Sequence, residues 1–256
     1  MSVRIRKIFF WAGLGIVLFT NAPSTSAFNA DLDINSAVTN NLNLLIQGGF
    51  EDFSEEIGLA VSYLPLSPAE PLGILGFDIG VEVTAVDIKQ DSPYWKVIAP
   101  GAPSQIPLPK IHVQKGLPFG IDVSAVYARV PNSNIEMAGG AIKWAFIKGN
   151  TLLPSIAVRA SYTRLLGVNN LDLETAGADI SISKGFLFLT PYIGYGQVWI
   201  KSKIVDLPAP LNLESNTTLP KPFVGVKISP LPIINIVAEA DFSKITLYTL
   251  RFNVGF

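Results

Sequence analysis

Side chains in this chain alternate in polarity with period two, over stretches longer than a soluble strand requires. Phe77, Ile79, Val81, Val83 and Ala85 are apolar, with Asp78, Gly80, Glu82 and Thr84 between them. The pattern recurs from Phe119 to Tyr127, from Ile156 to Thr163, from Ala178 to Ser183 and from Ile234 to Phe242. Successive side chains on a strand point to opposite faces, so each run carries one apolar and one polar face. A half-buried sheet in a soluble sandwich alternates too. Soluble strands, however, average about 5–6 residues, while a membrane-crossing strand needs about 9–11. Several runs here sustain the pattern that long. A sheet in lipid must close on itself, because an open edge leaves backbone groups without partners.

Composition agrees. Of 256 residues, 49% are hydrophobic and only 15% charged, against about 25% charged in a typical soluble domain. With no Cys and one His, disulfide scaffolds, Cys-based zinc sites, thiol catalysis and c-type haem attachment lose their ligands. A net charge of −1 argues against nucleic acid as a partner. At the N-terminus, Arg4, Arg6 and Lys7 precede an apolar stretch at residues 8–19 and small or polar residues at 20–27. That is the layout of a secretory signal peptide, with cleavage expected after Ala27 and Ala22 as the alternative. As a helix the apolar stretch is about 18 Å long, too short for a hydrocarbon core of about 30 Å. No later stretch supplies 18 uncharged apolar residues.

Ten strands are predicted, at residues 77–88, 110–114, 119–130, 137–148, 153–166, 174–185, 190–203, 222–229, 233–242 and 245–256. Single-chain bacterial barrels have even strand numbers. Short connections at Lys115-Gly116-Leu117-Pro118, Lys148-Gly149-Asn150, Lys184-Gly185 and Ser229-Pro230-Leu231-Pro232 fall on one rim. The longer Pro-rich loops at 89–109 and 205–220 fall on the other, as does the tight Ser243-Lys244 turn. Residues 56–64 read as an eleventh strand, with Ile57, Leu59, Val61 and Tyr63 on one face, and 41–50 as a twelfth. The alternative is a short helix over 36–53, packed at the mouth or inside the lumen. The expected fold is all-β: a closed antiparallel transmembrane barrel of 10–12 strands. A signal peptide (1–27) and an N-terminal segment that is helix, plug or extra strand (28–55) precede the barrel (56–256).

The last strand is Tyr248-Thr249-Leu250-Arg251-Phe252-Asn253-Val254-Gly255-Phe256. Its terminal aromatic, with apolar residues at every second position before it, resembles the C-terminal strand of bacterial outer-membrane β-barrel proteins. The resemblance implies an outer-membrane location, outer-membrane lipid as the surrounding partner, and recognition by the barrel-assembly machinery. The matching positions are Tyr248, Leu250, Phe252, Val254 and Phe256. It points to no single functional family.

Alternation assigns Asp78, Glu82, Asp122, Lys143, Arg159, Asp179, Glu239, Asp241 and Arg251 to the inner face. Two roles are open to them: ion pairs that fill a narrow interior, or the selectivity-setting lining of a pore. The leading expectation is a passive channel or small-molecule transporter, its ligand unidentified. A structural or surface-interaction barrel is the alternative, and a soluble periplasmic β-protein the third reading. No catalytic residue, metal site or cofactor is expected. His112 reads as an ordinary polar strand residue, and Asp78 and Glu82 lie about 13 Å apart along a strand, too far for a glycosidase pair. Tyr94, Trp95, Trp144, Tyr192, Tyr195 and Trp199 are expected to mark the membrane interface.

Overall fold

The computed structural model describes residues 31, 32, 34–130, 133–205 and 213–256. The expected signal peptide lies outside the described residues. Ten antiparallel strands form one closed barrel. They are β1 (Phe77–Asp87), β2 (Gln105–Gly116), β3 (Ile121–Arg129), β4 (Glu136–Ile147), β5 (Ser155–Leu166), β6 (Leu171–Ser183), β7 (Leu189–Ile204), β8 (Leu213–Leu231), β9 (Ile234–Phe242) and β10 (Thr246–Gly255). Each pairs with its neighbours in sequence, and β1 with β10 closes the ring. Phe77 and Phe256 complete the seam by exchanging backbone hydrogen bonds, both 3.0 Å. The final residue is therefore part of the wall. Among the described residues no helix is long and apolar enough to cross a membrane.

The ten predicted strands are all present, but several begin earlier than the alternation suggested, β2 and β8 by the most. β2 takes in Pro107 and Pro109, and β8 takes in Pro220 and Pro222. Both extensions lie where the strand has one partner only. β3 meets β2 from Lys110 onward, and β9 meets β8 from Phe223 onward. A proline whose missing N–H faces an open edge costs no ladder bond.

The outside of the wall is apolar. Ile79, Val81 and Val83 on β1, Ile142 on β4, Ile180 on β6, Ile193 on β7 and Leu250 and Phe252 on β10 are all exposed. Above this belt, at the end away from Phe256, exposed ion pairs take over: Arg129 with Glu136 (3.2 Å), Arg164 with Asp172 (2.7 Å) and Lys203 with Glu214 (2.8 Å). At that boundary the Tyr127 and Tyr162 hydroxyls donate to Glu136 and Glu174, the two-faced placement expected of an interfacial tyrosine.

Inside the wall, rings cover small residues. Tyr192 faces Gly225 across β7 and β8, and Phe223 faces Gly194. A Cβ at either glycine would fall within 2.3 Å of the opposing ring, so the absence of a side chain is what lets the aromatic lie flat.

Residues before Phe77 do not join the sheet. A helix α1 (Ile34–Leu44), a π-helical turn over Leu45–Gly49 and a helix α2 (Phe50–Val61) precede an extended stretch at 62–76. The eleventh strand expected at 56–64 is thus helix up to Val61 and extended chain beyond it. Both periods are written into this segment. Phe50, Phe53, Ile57 and Ala60 recur at helical spacing, and Glu51 and Asp52 suit a helix N-terminus. With ten strands already closed, no edge remains for Ile57, Leu59 and Val61 to pair with as a strand.

Ile142→Arg puts a cation on the middle of the apolar belt and is expected to cost about 2–4 kcal/mol in the refolded, lipid-inserted protein. Urea titration in vesicles measures it; a cost under about 0.5 kcal/mol would place β4 in the opposite register.

Candidate functional site

The site is the lumen, and the chain occupies it itself. Residues 62–76 run from α2 at the mouth beside Ser243 and Lys244 to the start of β1 at the Phe256 rim. Pro65, Pro68 and Pro71 keep the segment extended, since each fixes its own φ and biases the preceding residue away from helix. Apart from the turn that Gly76 N closes on the Gly73 carbonyl (3.0 Å), the segment makes no backbone bonds to itself, and its buried peptide groups must find partners elsewhere.

The wall provides them in order of height. Thr163 donates to the Val61 carbonyl (2.8 Å) and Lys221 Nζ to that of Tyr63 (2.6 Å). Glu239 accepts from Leu66 N (2.9 Å), while Arg251 donates to the Leu66 carbonyl (3.2 Å). Lys143 Nζ donates to the carbonyls of Pro68 and Glu70, both 2.9 Å. Asp122 accepts from Leu72 N at 3.1 and 3.2 Å.

The same groups pair with one another. Lys143 lies 3.0 Å from Asp122, Lys110 3.9 Å from Glu82, Arg159 3.9 Å from Asp179 and Lys221 3.8 Å from Asp241. Arg251 pairs with Asp78, which also accepts from Asn253. Of the nine residues assigned to the inner face from sequence, all lie inside the barrel. Asp78, Glu82, Asp122, Lys143, Arg159, Glu239, Asp241 and Arg251 are buried, and Asp179 is half-buried. Asp122, Lys143, Glu239 and Arg251 touch the threaded segment directly. Glu82, Asp78, Asp179 and Asp241 pair within the wall, and Arg159 both pairs with Asp179 and lies over the Tyr63 ring of the segment.

Tyr63 is the segment's central anchor. Its hydroxyl meets His112 Nε2 (2.9 Å) and Ser124 Oγ (2.7 Å), and the Arg159 guanidinium lies 5.8 Å above its ring. His112 Nδ1 faces Glu82 at 3.2 Å. Glu82, His112, Tyr63 and Ser124 form a line of polar contacts packed inside the wall, with His112 only 1% exposed. The line serves to seat Tyr63. Alternation with Ile111 and Val113 places Lys110, His112 and Gln114 on one face, a signal sufficient to group them. Lys221 gave none, lying between two prolines.

At the upper mouth α2 is buried almost all round. The Ser202 hydroxyl donates to that of Ser54 (2.5 Å), and Gly58 lies against Ile200, where a Cβ would come within 2.4 Å. A short helix α3 (Pro93–Ile98) in the β1–β2 loop covers α2. The Tyr94 hydroxyl and Trp95 Nε1 both donate to Glu56, at 2.9 and 2.7 Å, and Trp95 meets Phe53 edge-on. These two aromatics, expected at the membrane interface, are instead buried in the cap. Tyr192 also departs from expectation: it faces inward and donates to Glu239 at 2.7 Å. Trp144, Tyr195 and Trp199 are exposed on the outer wall. The tip of the β9–β10 turn holds the cap as well, through Lys244 with Asp52 and Glu55.

No family model matches the sequence, and no curated protein matches it. Solved structures similar to the chain include outer-membrane barrels. The N-terminal β-barrel domain of Pseudomonas aeruginosa OprF shares 11% identity over 70% of this chain and 97% of its own, with TM-score 0.33. Ail of Yersinia pestis shares 12% over 73% and 97%, TM-score 0.34, and the KdgM porin 9% over 71% and 99%, TM-score 0.35. The likeness is distant, and the closed, even-numbered, outwardly apolar wall stands on its own hydrogen bonding. The fold is that of outer-membrane β-barrels. Within that fold, this barrel's lumen is filled by its own N-terminal segment.

Lys143→Met leaves Asp122 without its partner and two carbonyls without a donor. Breaking a buried pair this way typically costs about 3–5 kcal/mol. Adding Asp122→Asn is expected to recover part of the loss, as measured by urea unfolding of the refolded protein; a double variant less stable than the single contradicts the pairing.

The cap also carries a pH dependence. Burial pushes the Tyr94 hydroxyl up to about 12, with the facing Glu56 carboxylate adding to the shift. Burial works against the charge on Lys244, but Asp52 and Glu55 outweigh it and raise the ammonium above the usual lysine range. Both groups hold their protons more tightly in the folded cap. Its docking is therefore at full strength below about pH 10, where tyrosine titrates when free, and weakens as the pH rises through about 12. Fluorescence of buried Trp95 is expected to shift red over that window; a shift complete below pH 9 contradicts it.

Proposed function

We propose that the protein is a bacterial outer-membrane barrel sealed at rest by residues 62–76, a structural or surface-presenting barrel and not an open channel. The observation that carries this is the use of the lining charges. Lys143, Lys221, Arg251, Asp122 and Glu239 all engage backbone groups of residues 63–72, leaving them unavailable to a passing solute. The signal-peptide layout and the terminal aromatic strand support outer-membrane delivery, with Phe256 on the periplasmic side and helices α1 to α3 outside. Outer-membrane lipid is then the wall's partner and the assembly machinery its partner during biogenesis.

A gated channel is the second reading, favoured by one observation. Buried polar atoms of Arg159, Asp179, Ser181, Glu239 and Asp241 lack hydrogen-bond partners, so on the β5–β9 side the segment satisfies the wall incompletely. Such a side is where a path opens if the segment shifts.

In planar bilayers the wild-type protein is expected to show no steady conductance, whereas a variant lacking residues 34–72, verified as folded by heat-modifiable migration, conducts. Steady conductance through the wild type would overturn the sealed reading in favour of the passive channel.

A further inference from the structure

Three of the four turns on the rim that carries Phe256 begin alike. Lys115-Gly116, Lys148-Gly149 and Lys184-Gly185 each lead into bulky apolar residues. Leu75, Phe119, Leu152, Leu187, Leu231 and Phe256 project from this rim, with Phe119 83% and Leu152 87% exposed and Leu187 fully so. Water is a poor environment for such a ring of side chains. Two of them are also held in a backbone conformation that disfavours them, with φ of 64° at Phe119 and 52° at Leu187. Left-handed backbone at a bulky residue is an outlier, and strain of this kind persists where it serves a site.

The lysines sit just beneath the tips. Lys115 Nζ donates to the carbonyls of Ile74 (2.7 Å) and Gly76 (2.9 Å). Lys184 Nζ donates to those of Asn150 (2.8 Å), Thr151 (2.7 Å) and Leu153 (3.2 Å), tying two neighbouring turns together. Lys148 is exposed. The turns at 115–120, 148–154 and 184–188 contain no Asp or Glu; Glu70 belongs to the threaded segment inside the ring. The rim is thus apolar at its tips and basic behind them.

We propose that this crown stays within the phospholipid leaflet, its apolar tips at the acyl–headgroup boundary and the Lys115 and Lys184 ammoniums satisfied there by turn carbonyls. The inference rests on the membrane reading above and deepens it by stating where the bilayer ends. Continuity favours lipid over a protein partner. The apolar belt on β10 runs through Tyr248, Leu250, Phe252 and Val254 to Phe256, all exposed, and passes into the crown without a charged break. At the opposite boundary, tyrosines and ion pairs mark the exit from lipid. Apolar tips beside lysines whose ammoniums are met by polar partners are the pattern of an interfacial segment, in which the aliphatic stem lies along apolar surface.

The chain has no native Cys, so single environment-sensitive probes test this directly. Val81→Cys on the belt, Leu152→Cys and Leu187→Cys are labelled and the full chain is reconstituted in phosphatidylethanolamine–phosphatidylglycerol vesicles. All three probes are expected to be quenched by lipid-borne spin labels and shielded from aqueous iodide. If Val81 is lipid-quenched while Leu152 and Leu187 are quenched by iodide, the crown faces water and suits a periplasmic protein, and the proposal falls while the membrane reading stands. If all three are quenched by iodide, the membrane reading itself falls. Leu187→Asp with Leu152→Asp is further expected to lower the unfolding temperature in vesicles and leave it unchanged in detergent; equal effects in both overturn insertion.

Discussion

The peptide groups of residues 62–72 have no partners in their own segment, because a chain held extended by prolines forms neither helix nor sheet. Burial inside a barrel removes water as the substitute. Beyond Ser62, whose N–H meets the Leu59 carbonyl of α2, the partners come from the wall, and the wall's charged residues are placed accordingly. Lys143 reaches two carbonyls, Arg251 and Glu239 take the two sides of Leu66, and Asp122 takes Leu72. Charges in a closed interior are costly unless paired and hydrogen-bonded. Here wall and segment satisfy each other.

Much of the wall was legible because lipid imposes a simple code. A residue on a spanning strand faces either hydrocarbon or interior, so parity separates Val81 from Glu82 and Phe252 from Arg251 without any three-dimensional information. Parity fails where the chain leaves the sheet. Ile57, Leu59 and Val61 alternate, yet they lie on a helix, because tertiary closure decided the matter after local pattern had left it open. Pro220 concealed the first half of β8, since a proline fits a strand where one neighbour is missing, a fact invisible before the pairing is known. The role of Tyr63 was hidden for a related reason: its partners His112 and Ser124 lie far away in sequence.

The two ends of the barrel differ in what they expose. Toward the cap the outer surface turns to ion pairs and hydrogen-bonded tyrosines, and α2 is locked beneath Tyr94, Trp95 and Lys244. At the other end leucine and phenylalanine reach the very tips of the turns. The two ends are joined through the lumen by residues 62–76, which lead from α2 in the upper mouth to β1 at the Phe256 rim.

That placement rests on α2 being seated in the upper mouth against β7. Ser54 and Ser202 are both buried and their hydroxyls meet directly, in a chain without native cysteine. A double variant, S54C with S202C, therefore reports the seating as a single covalent bond. The account predicts near-complete intramolecular disulfide formation in the folded protein under mild oxidation, with neither single variant forming it. Free thiols in the folded double variant, reactive toward a water-soluble maleimide, would mean that α2 does not occupy the mouth and that the lumen is not sealed as described.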